Sequence, residues 1–123
     1  MKKFLFTLMI VATLTFADTC AAADIWIEHL STENLDIYVM DDTLRGDATN
    51  SGRYFKVSTK KVKDGQLQQI VNWTFSQAPN NNWRYETESM RGSHTTIVYN
   101  NKLFEFCMNR LGWAYSQRDG YYR

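Results

Sequence analysis

The stretch from Arg53 to Ser76 constrains this chain more tightly than any other. Two runs of alternating apolar and polar residues, Arg53 to Val62 and Gln66 to Ser76, are joined around Asp64-Gly65, the pattern of a β-hairpin. A two-residue Asp64-Gly65 turn would pair Val62 with Leu67, and therefore Phe55 with Thr74 and Val57 with Asn72. A three-residue Lys63-Asp64-Gly65 turn, with Gly65 left-handed in a bulge, pairs Phe55 with Trp73 and Val57 with Val71. The second register collects Phe55, Val57, Leu67, Val71, Trp73 and Phe75 on one face. A one-residue slip sends a whole set of side chains to the other face, so burial selects the bulged turn.

The rest of the pattern continues the sheet on both sides. Ile25 and Ile27 alternate with Trp26 and Glu28, and Leu35, Ile37 and Val39 alternate with Asp36, Tyr38 and Met40. Ser31 to Asn34 supplies turn residues between these two strands. Trp83, Tyr85 and Thr87 suggest a fifth strand after Pro79 to Asn82, and Thr95 to Tyr99 reads as either a sixth strand or the start of a helix capped by Ser93. Leu103, Phe104, Cys107 and Leu111 recur at helical spacing, with Asn100 or Asn101 to cap the start and Gly112 to stop the end. Arg45 to Gly52 and Ala78 to Asn82 read as turn-rich loops. The expectation is an α+β fold, an antiparallel β-sheet of about five or six strands packed with one C-terminal α-helix.

Met1-Lys2-Lys3, the apolar run from Phe4 to Phe16 and the triplet Ala21-Ala22-Ala23 have the three-part layout of a secretory signal. The run is short of the roughly 20 apolar residues that span a bilayer. Cleavage is expected after Ala23, leaving residues 24–123 as a single β-rich domain with no transmembrane span, secreted, periplasmic or associated with the cell envelope. Lipidation on Cys20 is the weaker alternative, because Ala17-Asp18-Thr19 is a poor lipidation box.

Cleavage removes Lys2, Lys3 and Asp18 from 14 basic and 13 acidic residues, leaving 12 of each. That balance argues against a nucleic-acid or anionic-membrane partner. Only Cys107 is left, so the domain relies on its apolar core rather than a disulfide. Seven Phe, seven Tyr and four Trp can build one.

Chemistry-bearing groups are scattered. Cys107 could serve as a nucleophile with His29 or His94 as base, but it lies on the apolar stripe with Phe104 and Leu111 and reads as a small hydrophobe. The two histidines lack metal-ligand spacing and read as surface residues. Asp36, Asp41, Asp42 and Asp47 fail the calcium-loop spacing. Neither a metal nor another cofactor is expected. Lys56, Lys60, Lys61 and Lys63 with Tyr54 and Trp73 resemble a basic-aromatic hairpin, and read more simply as a solvated sheet face. Asn72-Trp73-Thr74 matches a glycosylation sequon but sits inside a strand. Arg45-Gly46-Asp47 is singled out as a partner-binding loop, since an exposed loop can present an arginine and a carboxylate together.

The order of Trp26, Ile37 to Arg45, Tyr54-Phe55-Lys56-Val57 and Phe104-Glu105-Phe106-Cys107 resembles the small exported bacterial proteins related to surface-adhesin protein E. The resemblance implies an antiparallel sheet packed with a helix at the cell envelope, without that adhesin's lipidation box or disulfide partner. No binding residue is carried over. The function expected is therefore a non-enzymatic envelope or secreted binding protein, with a protein or glycan partner. A periplasmic inhibitor of a cell-wall hydrolase such as lysozyme, acting through a protruding Arg45 to Gly52 loop, is the alternative.

Overall fold

The computed structural model describes residues 24–123. The expected leader, its cleavage point and Cys20 lie outside them. The chain forms one six-stranded antiparallel sheet in sequence order, a helix, and a small two-stranded sheet. The strands are β1 (Asp24–Leu30), β2 (Leu35–Thr49), β3 (Gly52–Lys63), β4 (Gln66–Gln77), β5 (Trp83–Thr87) and β6 (Thr95–Thr96). Helix α1 (Lys102–Leu111) follows, then β7 (Gln117–Arg118) and β8 (Tyr121–Tyr122). The α+β arrangement read from the pattern is the one observed, with Thr95-Thr96 resolved in favour of strand.

The β3–β4 register overturns the bulged three-residue turn and keeps the two-residue turn with Val62 opposite Leu67, but not the pairings that were to follow from it. Lys63 pairs with Gln66 across a two-residue turn, Asp64 (φ 51°) and Gly65 (φ 77°), and Val62 pairs with Leu67. The pairing then shifts between Val62 and Lys61: Lys61 faces Gln69, Thr59 faces Val71 and Phe55 faces Phe75. Gln68 is the extra residue of a β-bulge. The turn stays in the tight left-handed form that matches strand twist, and β4 regains the burial-compatible face one step later. Burial thus selects the face, but the bulge in β4 does the work assigned to the turn. Leu67 lies beyond that bulge and is 54% exposed rather than buried.

A second correction concerns Arg45-Gly46-Asp47. These residues are exposed, as expected, but they belong to β2, paired with Lys56, Phe55 and Tyr54 of β3. Asp41 to Leu44 all stand opposite Val57, interrupting the ladder between Met40 and Arg45. There the Thr43 hydroxyl donates to the Met40 carbonyl at 2.6 Å and accepts the Ser58 amide at 2.9 Å. One side chain therefore stands in for the missing ladder bonds, and the strand resumes at Arg45.

Helix α1 starts where Asn101 Oδ1 accepts the Phe104 amide at 2.8 Å. It ends at Gly112, whose φ of 73° suits the left-handed cap. Glu105 in the first turn and Arg110 in the last complement the helix dipole. Leu103, Phe104, Cys107 and Met108 face the sheet, meeting Val39, Phe55, Val57, Phe75, Trp83 and Ile97. Each fully buried large apolar side chain contributes about 1.5–3 kcal/mol relative to exposure. The β7–β8 hairpin has no counterpart in the sequence pattern. It brings Tyr122 into the core with its ring 4.5 Å from that of Phe104. The tail is fastened further by Arg53, whose guanidinium lies 5.4 Å from both Trp83 and Trp113 and donates to the Ala114 carbonyl at 3.1 Å.

Candidate binding hollows across Trp73

Helix α1 meets the sheet over Val39, Phe55, Val57, Phe75, Trp83 and Ile97, and leaves Trp73 only half-buried beside two hollows. Two hollows share Trp73 and Lys61. The first, about 550 Å³, is lined by Gln69, Val71, Tyr85 and Thr87 of the sheet and by Glu88 to Met90 beyond β5. The second, about 350 Å³, runs from Trp73 and Thr59 towards Glu28, Glu33 and the helix start at Asn101 to Leu103.

The aromatic floor is built by strand alternation, which sends Val71, Trp73 and Phe75 to one side of β4 and Tyr85 to the same side of β5. Trp73 packs its ring parallel to Phe75 at 5.9 Å and tilted to Tyr85 at 5.3 Å. Its Nε1 donates to Oγ1 of Thr59 at 2.9 Å, satisfying the one buried polar residue of the sheet core. The indole is thereby fixed in orientation, half-buried, with polar groups arranged around it.

The wall beyond β5 is fixed by hydrogen bonds. The Glu88 carboxylate accepts the Asn72 backbone amide at 2.9 Å and its side-chain amide at 2.6 Å, and these bonds hold it below its ordinary carboxylate range. The Met90 amide donates to the Thr87 carbonyl at 3.0 Å, and Arg91 (φ 42°) and Gly92 (φ 82°) turn the chain back.

Most of the residues named from the sequence fall elsewhere. Arg45, Gly46 and Asp47 lie on β2, away from both hollows. Arg45 donates to its neighbour's carbonyl at Leu44, and Asp47 caps the Ala48 amide. Cys107 is fully buried under the helix, and burial, with a smaller effect from Asp41, pushes its thiol up to about 12. His29 sits 2.9 Å from Asp36 on the outer face, and His94 sits 2.9 Å from Glu86. The thiol and the two imidazoles thus occupy three separate places. The aspartates are dispersed as well. Asp36 accepts from Trp26 Nε1 at 3.1 Å, Asp41 is held by Arg110, and no group of three metal-ligating side chains exists among the described residues. The basic-aromatic set is divided by strand parity. Tyr54, Lys56 and Lys60 share the outer face, while Lys61 and Trp73 face the hollows. Of the candidate functional residues in the sequence, Trp73 and Lys61 alone line the hollows. No helix among the described residues is long and apolar enough to cross a membrane.

Comparison of the chain with known protein families, characterised proteins and solved structures returns no match.

Proposed function

We infer that this is an exported, non-enzymatic binding protein of the cell envelope or the secreted space, which holds its partner in the hollows across Trp73. The observation that carries the reading is the pair of hollows that share Trp73, with Tyr85 beside it, on the sheet face that α1 leaves uncovered. Recognition sites are typically concave with aromatic anchors and placed polar groups; here Trp73 and Tyr85 supply the anchors on a sheet, and Lys61, Gln69, Thr87 and Glu88 surround them with polar groups. The leader-like residues 1–23 support export. The burial of Cys107, far from ordinary thiol reactivity, supports a role without nucleophilic catalysis. The alternative of a hydrolase inhibitor needs a loop to fill a cleft. Arg45 to Gly52 forms a hairpin tip with a tight turn at Asn50-Ser51, away from the two hollows; lysozyme inhibition lost on replacing Arg45 to Gly52 by Gly/Ser would favour that alternative.

The test has three arms. N-terminal sequencing of the secreted protein should begin at Asp24, and cytosolic protein retaining Met1 would overturn the export reading. Pull-down from an envelope extract should retain a partner on the wild type that is lost on a Lys61→Glu, Tyr85→Ala double variant. Equal retention by both would remove the hollows from the proposal. Turnover by the purified protein that disappears in a folded Cys107→Ala variant would overturn the non-enzymatic reading.

A further inference from the structure

Strand β4 outruns its neighbour. β3 accompanies it from Gln66 to Ser76, whereas β5 pairs only with Trp73 to Gln77. From Gln66 to Val71 the other side of β4 is a free sheet edge, and at Asn72 the outward amide is already taken by the Glu88 carboxylate. Free edges usually carry charges, prolines or bulges that discourage pairing. The outer strand β1 follows that rule, with Asp24, Glu28, His29 and a bulge at Ile27. By contrast, β4 has no charged residue anywhere between Gln66 and Gln77. Its bulge at Gln68 spoils only the lower end, leaving Gln69 to Asn72 regular.

The direction of this edge can be read from one bond. The Asn72 amide points away from β3, because it donates to Glu88. In an antiparallel strand the hydrogen-bonding direction repeats every second residue, so Ile70 presents its N–H and C=O to the same side. Ile70 itself is 43% exposed. The larger hollow lies along this edge, where a continued β5 would have run.

Resting on the reading of the chain as a binding protein, we propose that Gln69 to Val71, through the outward N–H and C=O of Ile70, captures an extended peptide segment of a partner protein by strand addition. Alternate side chains of the added strand point into the hollow. One, level with Val71, meets Trp73, Tyr85 and Met90 and is bulky and apolar. The next such residue, level with Gln69, approaches Lys61 and is acidic. Lys61 takes part in none of the ion pairs among the described residues, so its ammonium is open to a ligand carboxylate. A second copy of this chain is the poorer occupant. Symmetric pairing about Ile70 would set the copy's Leu67 opposite Trp73, a position already taken by Thr87.

The probe is a phage-displayed library of random seven-residue peptides, selected on the purified protein. The expected winners carry a large apolar residue and an acidic residue two positions apart. Synthetic winners should lose at least tenfold in affinity on Lys61→Glu. Methylating their backbone nitrogens one at a time should abolish binding at every second position only. On binding, hydrogen exchange of the Ile70 amide should slow at least tenfold. The proposal is overturned if no sequence is enriched, or if N-methylation is tolerated throughout. It is also overturned if the Ile70 amide is already protected in the free monomer, or if sedimentation shows the edge occupied by a second copy. Those outcomes leave the broader binding reading standing. That reading falls separately, if the wild type retains no partner at all.

Discussion

Gly46 and Trp113 are packed so closely that a Cβ at position 46 would lie 2.9 Å from the indole Cη2, with both terminal methyls of Leu111 at 3.2 Å. The glycine of the Arg45-Gly46-Asp47 tripeptide therefore has a structural reason to be there. It lets the end of α1 and the following segment sit down on β2.

Gly46→Ala should consequently destabilise the fold. Overpacking typically costs about 1–3 kcal/mol, partly offset because alanine in a strand gains about 0.5–1 kcal/mol over glycine. Urea unfolding should show a net loss of about 1 kcal/mol, while Asp47→Glu on the exposed face changes stability by less than about 0.5 kcal/mol. If integrin-dependent cell attachment occurs and persists unchanged in Asp47→Glu, the tripeptide is not its receptor contact. A Gly46→Ala protein as stable as wild type would mean that Trp113 yields freely.

Cys107 should be inert in the native protein. With the thiol pushed up to about 12, only about one molecule in ten thousand is thiolate at pH 8, and the sulfur is also wholly covered. A disulfide reagent should label it only at the rate of unfolding and stoichiometrically in denaturant. Cys107→Ser puts a hydroxyl among Phe104, Met108 and Val39 and should cost about 1–3 kcal/mol. Cys107→Ala is the milder change. Rapid native labelling would contradict the burial.

The fold class was legible because alternation and helical spacing report which side of an element is buried. They do so without reference to what pairs with what. Register was not legible, because a bulge is invisible to the periodicity that it repairs. Gln68 adds one residue to β4 and restores the face of Val71, Trp73 and Phe75, so neither simple turn predicts the pairing. The same holds for β2. Asp41 to Leu44 break the alternation, and Gly46 and Asp47 are ordinary turn residues, so the resumed strand looked like a loop. The β7–β8 hairpin has two residues per strand, too few for any period. Of the site, Trp73 and Lys61 were visible as residue types. Their meeting place was not, since it depends on β5 ending at Thr87 and on how far α1 reaches.

Tyr122 should act as the latch of the C-terminal hairpin. Its hydroxyl accepts the Asn101 amide at 3.1 Å and donates to the Glu105 carboxylate, joining β8 to the helix start. Burial first, and the bond to Glu105 second, push its phenol up to about 12. Tyr122→Phe keeps the ring against Phe104 but leaves the Asn101 amide without its acceptor, a loss of about 1–3 kcal/mol. In an alkaline absorbance titration of the folded protein, the last tyrosine to ionise should vanish in this variant. An unchanged titration curve would place the late step on another tyrosine.

Arg110 closes two bonds on Asp41, Nε to Oδ1 and Nη2 to Oδ2, each 3.0 Å long. These hydrogen bonds are the main cause holding the Asp41 carboxyl below its ordinary 3.8, with the arginine charge adding to them. The sign of the pH effect follows from that direction. Because the folded carboxyl takes up its proton at lower pH than the unfolded one, the clamp's contribution is complete above the unfolded value and disappears as pH falls through the folded one. Thermal unfolding of wild type and Asp41→Asn should therefore differ by a constant margin from about pH 7 to 5, converge below about pH 4 and coincide near pH 2. Both side chains are partly exposed, 30% for Asp41 and 49% for Arg110, so the margin should also shrink in about 1 M salt. A margin that survives at pH 2 would trace the effect of the substitution to the geometry of the Asp41 to Leu44 segment rather than to charge.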